Sequence, residues 1–219
     1  MSLVEIKGLE KKYGKTQVLR GINISLEENE QCALVGSSGS GKSTLLYLLG
    51  GLERADNGTI EIGNQNLEKM SDENLAYFRN RYVGFVFQFH FLLSSMNCLN
   101  NILLPARIGN VKTKELDGLA TRLAEILGVT HCLKKMPYEL SGGEQQRINI
   151  IRAMSLRPKL LLCDEPTGNL DSANSQKVSL LIKQLAQEFG ATLLVVTHDE
   201  KVAAHFSRKI TIEDGQIID

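Results

Sequence analysis

Apolar and polar positions along this chain repeat with two periods, and each change of period marks an element. Val4-Glu5-Ile6, Ile22-Asn23-Ile24-Ser25-Leu26 and Thr59-Ile60-Glu61-Ile62 alternate with period two, which predicts strands with one solvent face. Cys32 to Val35, Leu160 to Cys163 and Thr192 to Val196 are short continuous apolar runs, the mark of strands covered on both faces. Val83 to Gln88 is also strand-like. Helical spacing predicts helices over Ser43 to Leu49, from Ser141 through Met154 and over Ser172 to Phe189, and a helical stretch from about 97 to 136. Near the C-terminus, Lys209 to Glu213 and Gln216 to Ile218 flank Asp214-Gly215, a strong hairpin signal.

Covered strands alternating with helices imply a parallel sheet. The expected fold is α/β: a mainly parallel core with an antiparallel β subdomain and an inserted α-helical subdomain. We expect a single domain over 1–219, with 1–89 and 159–219 forming the core and about 90–158 the helical subdomain. The length of 219 residues suits one such domain. Acidic and basic residues balance at 25 each, so charge gives no reason to expect a nucleic-acid partner. No run approaches the roughly 20 apolar residues of a membrane span, and the first residues lack a signal-peptide core. Any membrane role is therefore expected to need another subunit. The four cysteines are scattered without a CxxC pair, as reduced thiols in a cytosolic protein would be.

Gly36-Ser37-Ser38-Gly39-Ser40-Gly41-Lys42-Ser43 fits G-x-x-x-x-G-K-[ST] between an apolar strand and a helix. Glycines let the backbone curl so that N–H groups face phosphate oxygens, and the helix adds its positive end. Lys42 can reach the β- and γ-phosphates, and Ser43 can ligate Mg²⁺. Asp164 and Glu165 end a covered strand, where ligands of α/β sheets gather. Asp164 is set to hold Mg²⁺, and Glu165, on the opposite side of the strand, to polarise a water for attack on the γ-phosphate. His198 follows the next covered strand and could donate to the same phosphate.

Ser141-Gly142-Gly143-Glu144 fits a capping box, S-x-x-E. A cap explains Ser141 and Glu144. It does not explain two glycines in the first turn, each costing roughly 1 kcal/mol relative to alanine. Glycines there leave N–H groups open to an anion. Residues 36–44 already serve the chain's own nucleotide, so this helix start is expected to serve one held by a second copy.

Over its whole length the chain resembles the ATPase subunits of ABC transporters. The resemblance implies that Tyr13 stacks on adenine and that Gly36, Ser37, Ser38, Gly39, Ser40, Gly41, Lys42, Ser43 and Thr44 bind ATP. Ser43, Gln88 and Asp164 would hold Mg²⁺, with Gln88 linking it to the transport partner. Glu165, His198 and Gln88 would be catalytic. Ser141, Gly142, Gly143, Gln145 and Asp171 would meet the nucleotide of a second copy across the seam of an ATP-bound homodimer. Asn149 and Ile151 stand where small alanines are common, Ser94 where proline is frequent and Asn100 where glutamate is.

Three stretches, Val35 to Leu52, Phe85 to Leu93 and Asp164 to Asp171, are most similar to the lipoprotein-releasing LolD type, kin to the MacB and FtsE types. That implies integral membrane permease partners, LolC/LolE-like, at the cytoplasmic face of a bacterial inner membrane. A MacB-like export ATPase and an FtsE-like regulator of cell-wall enzymes are the alternatives. Four of the seven phenylalanines fall at 85, 87, 89 and 91. Phe85 and Phe87 are expected on one face of a buried strand. Phe89, His90 and Phe91 lie beyond its end, where an apolar cluster suggests a groove for a partner helix.

Overall fold

The computed structural model describes residues 2–168 and 172–218, apart from the side chains of residues 114–115 and 172–174. Strands β1 (Ser2–Tyr13) and β2 (Thr16–Glu27) form a long antiparallel hairpin, and β3 (Gln31–Val35) runs through the glycine loop into α1 (Lys42–Leu49). β4 (Asn57–Ile62) and β5 (Gln65–Asn66) join the hairpin in the order β2-β1-β4-β5. Helix α2 (Asp72–Tyr82) precedes β6 (Val83–Phe87). The segment after β6 carries α3 (Cys98–Ile108), α4 (Lys114–Ile126) and α5 (Gly142–Met154) and, among the described residues, no strand. β7 (Leu160–Asp164), α6 (Ser172–Phe189), β8 (Thr192–Val196), α7 (Glu200–Ala203), β9 (Arg208–Glu213) and β10 (Gln216–Ile217) complete the chain. The second sheet has the order β10-β9-β3-β8-β7-β6, parallel throughout except for β10.

The continuous apolar runs work as two interleaved period-two patterns. Leu160, Leu162, Leu194, Val196, Cys32 and Leu34 face one core, where they meet α1 and the inner face of the antiparallel sheet through Val4, Ile6, Ile60 and Ile62. Leu161, Cys163, Leu193, Val195 and Ala33 face the other, against Ile148, Ile151 and Met154 of α5 and Ile182 and Leu185 of α6. Each leucine, isoleucine, valine and methionine among them contributes roughly 1.5–3 kcal/mol on burial, so neither face of β7 or β8 can be uncovered cheaply. Asp214 and Gly215 turn the last hairpin at φ 46° and 77°, the positive pair that a two-residue type I′ turn needs.

Two elements are weaker in the sequence than in the fold. α2 buries only Leu75 and Phe78, so its apolar period is faint. Its ends carry the signal instead: the Ser71 hydroxyl accepts from Asn74 N–H, Asp72 and Glu73 begin the helix, and Arg79 and Arg81 end it. β1 runs well past Ile6, but register shifts between Ile6 and Glu10 break the alternation that would have extended it.

Gly84, on β6, sits where α5 ends. A methyl there would lie 2.5 Å from the Ala153 carbonyl oxygen and 2.9 Å from Pro158 Cγ. Gly84→Ala is expected to lose about 1–3 kcal/mol of stability, read as a lower urea midpoint with an unchanged slope.

Candidate functional site

The carboxyl ends of β3, β6, β7 and β8 lie side by side: Phe87 pairs with Asp164, Asp164 with Val196, and Leu34 with Val196. The loops leaving these strands therefore converge. The loop after β3 closes tightly at both ends. A methyl on Gly36 would lie 2.1 Å from the Ile212 carbonyl oxygen, and one on Gly41 2.7 Å from Leu19 Cδ2, with Gly41 at φ 106°. Only glycine fits there. Lys42 folds back across the loop, its buried ammonium donating to the carbonyls of Gly36 (2.9 Å) and Ser37 (2.7 Å). No described side chain caps α1 at Gly41, so none competes with a ligand for the N–H groups at this positive helix end.

Asp164 is gripped at both oxygens: the Ser43 hydroxyl donates to Oδ1 (3.0 Å) and the Tyr47 hydroxyl to Oδ2 (3.2 Å). Glu165 takes a left-handed conformation, φ 47°, and its N–H donates to the Val196 carbonyl. Such a residue stores of order 1–3 kcal/mol of strain. The twist turns the Glu165 carboxylate away from Asp164 and onto His198, with Oε1 2.7 Å from Nδ1. Gln88 packs on Gly168, where a methyl would come within 2.8 Å of its Nε2. Lys42, Ser43, Thr44, Gln88, Glu165 and His198 line one cleft of about 380 Å³, together with Ser38, Gly39 and Gly41. Tyr13 stands at the end of β1. Its hydroxyl donates to the Glu53 carboxylate and has Thr44 as a second partner; burial, then Glu53, pushes its pKa up to about 12. Asp171 lies outside the described residues.

Among the described residues lining that cleft, none comes from Ser141 to Gln145. This helix start faces elsewhere and carries a complete capping box. Ser141 N–H and hydroxyl donate to Glu144 Oε2 (2.8 and 2.7 Å), and Glu144 N–H returns to the Ser141 oxygen (3.4 Å). Gly142 is exposed, and a methyl there would meet no described atom within 4 Å. Nothing described in the chain's own packing requires glycine at that position. Gln145 is turned inward, donating to the carbonyls of Pro137 and Leu140 and bonding His90.

Helix α5 is fastened to the loops around it. Gln146 donates to the Pro166 carbonyl (2.6 Å), Asn149 to that of Phe87 (3.3 Å), and Arg152 to those of His90 (2.7 Å) and Phe91 (2.8 Å). Beside it opens a groove of about 410 Å³ lined by Phe85, Phe87, Leu104, Ile108, Arg152 and Leu156, among others. The expectation that Phe85 and Phe87 belong to a covered strand face needs correcting: they share a face, but it is half-open and forms this groove. Phe87 meets Phe91 edge-on at 5.4 Å, and Phe91 meets Phe89 at 6.4 Å. Phe89 and Phe91 are each 64% exposed.

Three groups support the site without belonging to any motif: Tyr47, Asn149 and Arg152. Tyr47 stands one helical turn after Ser43, a spacing that places both on one face. Asn149 and Arg152, three residues apart, likewise share a face of α5 and hydrogen-bond there. Polar residues amid Ile148, Ile150 and Ile151 were the available signal, and Asn149 is fully buried.

A family model described as ABC transporter matches residues 19–168. A lipoprotein-releasing system ATP-binding protein LolD of Geobacter metallireducens is 44% identical, the match covering 99% of this chain and 98% of that protein. The LolD protein of Hydrogenovibrio crunogenus is 43% identical over 99% of this chain and 96% of its own length. Among solved structures, the dimeric bacterial ABC transporter cassette MJ0796 superposes with a TM-score of 0.90 at 33% identity, covering 99% of this chain and 97% of that one. The post-hydrolysis dimer of the same cassette, bound to ADP and Pi, gives 0.87 at 34% over the same shares.

The capping box has its own signature in pH. The Ser141 hydroxyl, then its N–H, then His131 hold the Glu144 carboxyl down at about 2, against an ordinary 4.5. A depressed carboxyl stabilises the fold fully above its ordinary value and loses that contribution as pH falls toward the folded one. Glu144→Gln is therefore expected to be less stable than the parent at neutral pH. The difference in urea midpoints should shrink as pH drops from 4.5 towards 2.

Proposed function

Since the chain belongs to the ABC transporter family of ATPases, we propose that two copies close head to tail around two ATP molecules. Each site then pairs the phosphate loop of one copy with the start of α5 from the other. The observation that carries this is the first turn of α5: capped, exposed, and bearing a glycine at 142 that no described contact within the chain demands. An ATP held between the copies contacts both, so it favours the closed pair over the open one. The dimeric form of the MJ0796 cassette supports the same reading.

Within each site, Gly36 to Thr44 and Lys42 hold the phosphates, Tyr13 stacks on the adenine, and Ser141, Gly142, Gly143, Gln145 and Asp171 come from the partner copy. Ser43 and Asp164 offer hard oxygens 3.0 Å apart, with Gln88 nearby, a donor set that suits Mg²⁺. Mg²⁺ bound there would neutralise phosphate charge. Glu165 accepts the proton of the attacking water, and His198 orients Glu165 through their hydrogen bond.

Held at the cytoplasmic face of a bacterial inner membrane, the chain passes this motion to membrane permease subunits, LolC/LolE-like, which release lipoproteins from that membrane. The LolD relatives support that assignment. Among the described residues no helix is long and apolar enough to cross a membrane. The groove beside α5 receives a helix of the partner, with Phe89, His90 and Phe91 at its lip. Ring burial there supplies the affinity, and Arg152 ties the lip to α5.

Two variants test this reading. Gly142→Leu replaces a poor helix former with a good one in open space, so its urea midpoint should equal or exceed the parent's. Its ATPase should fall by about tenfold or more, since each 1.4 kcal/mol of lost contact is a factor of ten. Full ATPase in a folded Gly142→Leu would contradict the shared site. Phe91→Ala should leave the isolated chain's ATPase within about twofold while weakening its hold on permease subunits by about 1–3 kcal/mol. Pull-down with the membrane subunits reads the second effect.

A further inference from the structure

Outside the nucleotide cleft, the fold draws three different metal-ligating atoms together. His131 and Cys132 lie in a single helical turn over Thr130–Cys132, after α4, and Glu144 lies in the first turn of α5. His131 Nε2 is 2.8 Å from Glu144 Oε1, and Cys132 Sγ is 3.4 Å from that oxygen and 3.4 Å from His131 Nε2. With ligand bonds of about 2.0–2.3 Å, the edges of a tetrahedral zinc site measure roughly 3.3–3.6 Å, the shortest between nitrogen and oxygen. The two sulfur edges already have that length, and the remaining edge needs to open by only about half an ångström.

Two of the three residues are also held in place. Glu144 spends Oε2 on the N–H and hydroxyl of Ser141, which leaves Oε1 aimed at the pair. Cys132 is fixed through its backbone, its N–H donating to the Val129 carbonyl and its own carbonyl accepting from Lys135. The Cys132 side chain is buried while His131 is 57% exposed, so the cluster is anchored on its protein side and reachable from solvent.

We propose that Cys132, His131 and Glu144 form a site for a zinc-class divalent ion, with water completing the tetrahedron. Binding replaces the hydrogen bonds among the three groups. The thiol releases its proton to solvent and ligates as thiolate, and the imidazole ligates as the neutral ring. A thiolate and an imidazole select a borderline-soft ion over Mg²⁺, which separates this site from the oxygen donors of Ser43 and Asp164. The site does not depend on the ATP reading. The two meet only at Glu144, whose second oxygen caps Ser141.

The test is titration of the full chain with Co²⁺, a spectroscopic substitute for zinc. A thiolate-to-cobalt charge-transfer band should saturate at one equivalent, yield to Zn²⁺, and persist in excess Mg²⁺. Cys132→Ser should abolish it. Because Cys132 is buried, His131→Ala provides a second variant at an exposed side chain. Loss of an outer partner of a metal ligand alone costs about 10–100-fold in affinity, so loss of this ligand should weaken Co²⁺ binding at least that much in a chain of unchanged circular dichroism. Absence of the band in the folded parent would overturn the site. So would a band that survives Cys132→Ser, or an affinity unchanged in His131→Ala.

Discussion

The alignment of the carboxyl ends of β3, β6, β7 and β8 is the constraint on which the rest of this structure depends. It holds because β7 and β8 are buried on both faces, with Leu160 and Leu162 in one core and Leu161 and Cys163 in the other. A slip of one residue would exchange the two sets and turn Asp164 and Glu165 each to the face the other now occupies. With the register fixed, Asp164 meets Ser43 and Tyr47, and Glu165 is twisted onto His198. The local strain at Glu165 is small against the burial that enforces it.

Helix α5 gives that arrangement mechanical reach. Its first turn is presented outward, with Gly142 uncovered, while Gln146, Asn149 and Arg152 bind it to the carbonyls of Pro166, Phe87, His90 and Phe91. The bond from Gln146 to the Pro166 carbonyl is buried, so breaking it would leave a group desolvated and unpaired at a cost of about 1–3 kcal/mol. Together these bonds tie α5 to both the acid loop and the aromatic loop. In the proposed dimer, a contact of Gly142 with a second copy would be linked through α5 to the groove lined by Phe85 and Phe87.

Much of this was legible in the sequence. The glycine loop, the two acids, the Ser-Gly-Gly start and the strand–helix alternation each have a chemical reason tied to fixed spacing, so they stand out against one chain's background. α2 did not, because two buried side chains leave almost no periodicity and only its caps and end charges remain. The open face of Phe85 and Phe87 did not either, since a half-exposed groove and a covered face give the same alternation. Asn149 read as a mere departure from a small residue, and only its bond to the Phe87 carbonyl reveals a brace. The pairing of Cys132 and His131 with Glu144 joins a turn to the next helix, and no local spacing announces it.

In the proposed cycle, ATP joins two copies of this chain through the first turn of α5. The most direct measurement is the solution mass of Glu165→Gln by sedimentation equilibrium, with and without Mg-ATP, since that variant keeps the binding groups but loses the base. One chain has a mass of 24.2 kDa. The account predicts that mass without nucleotide and twice it at saturating ATP. A single-chain mass in the presence of bound ATP would contradict it.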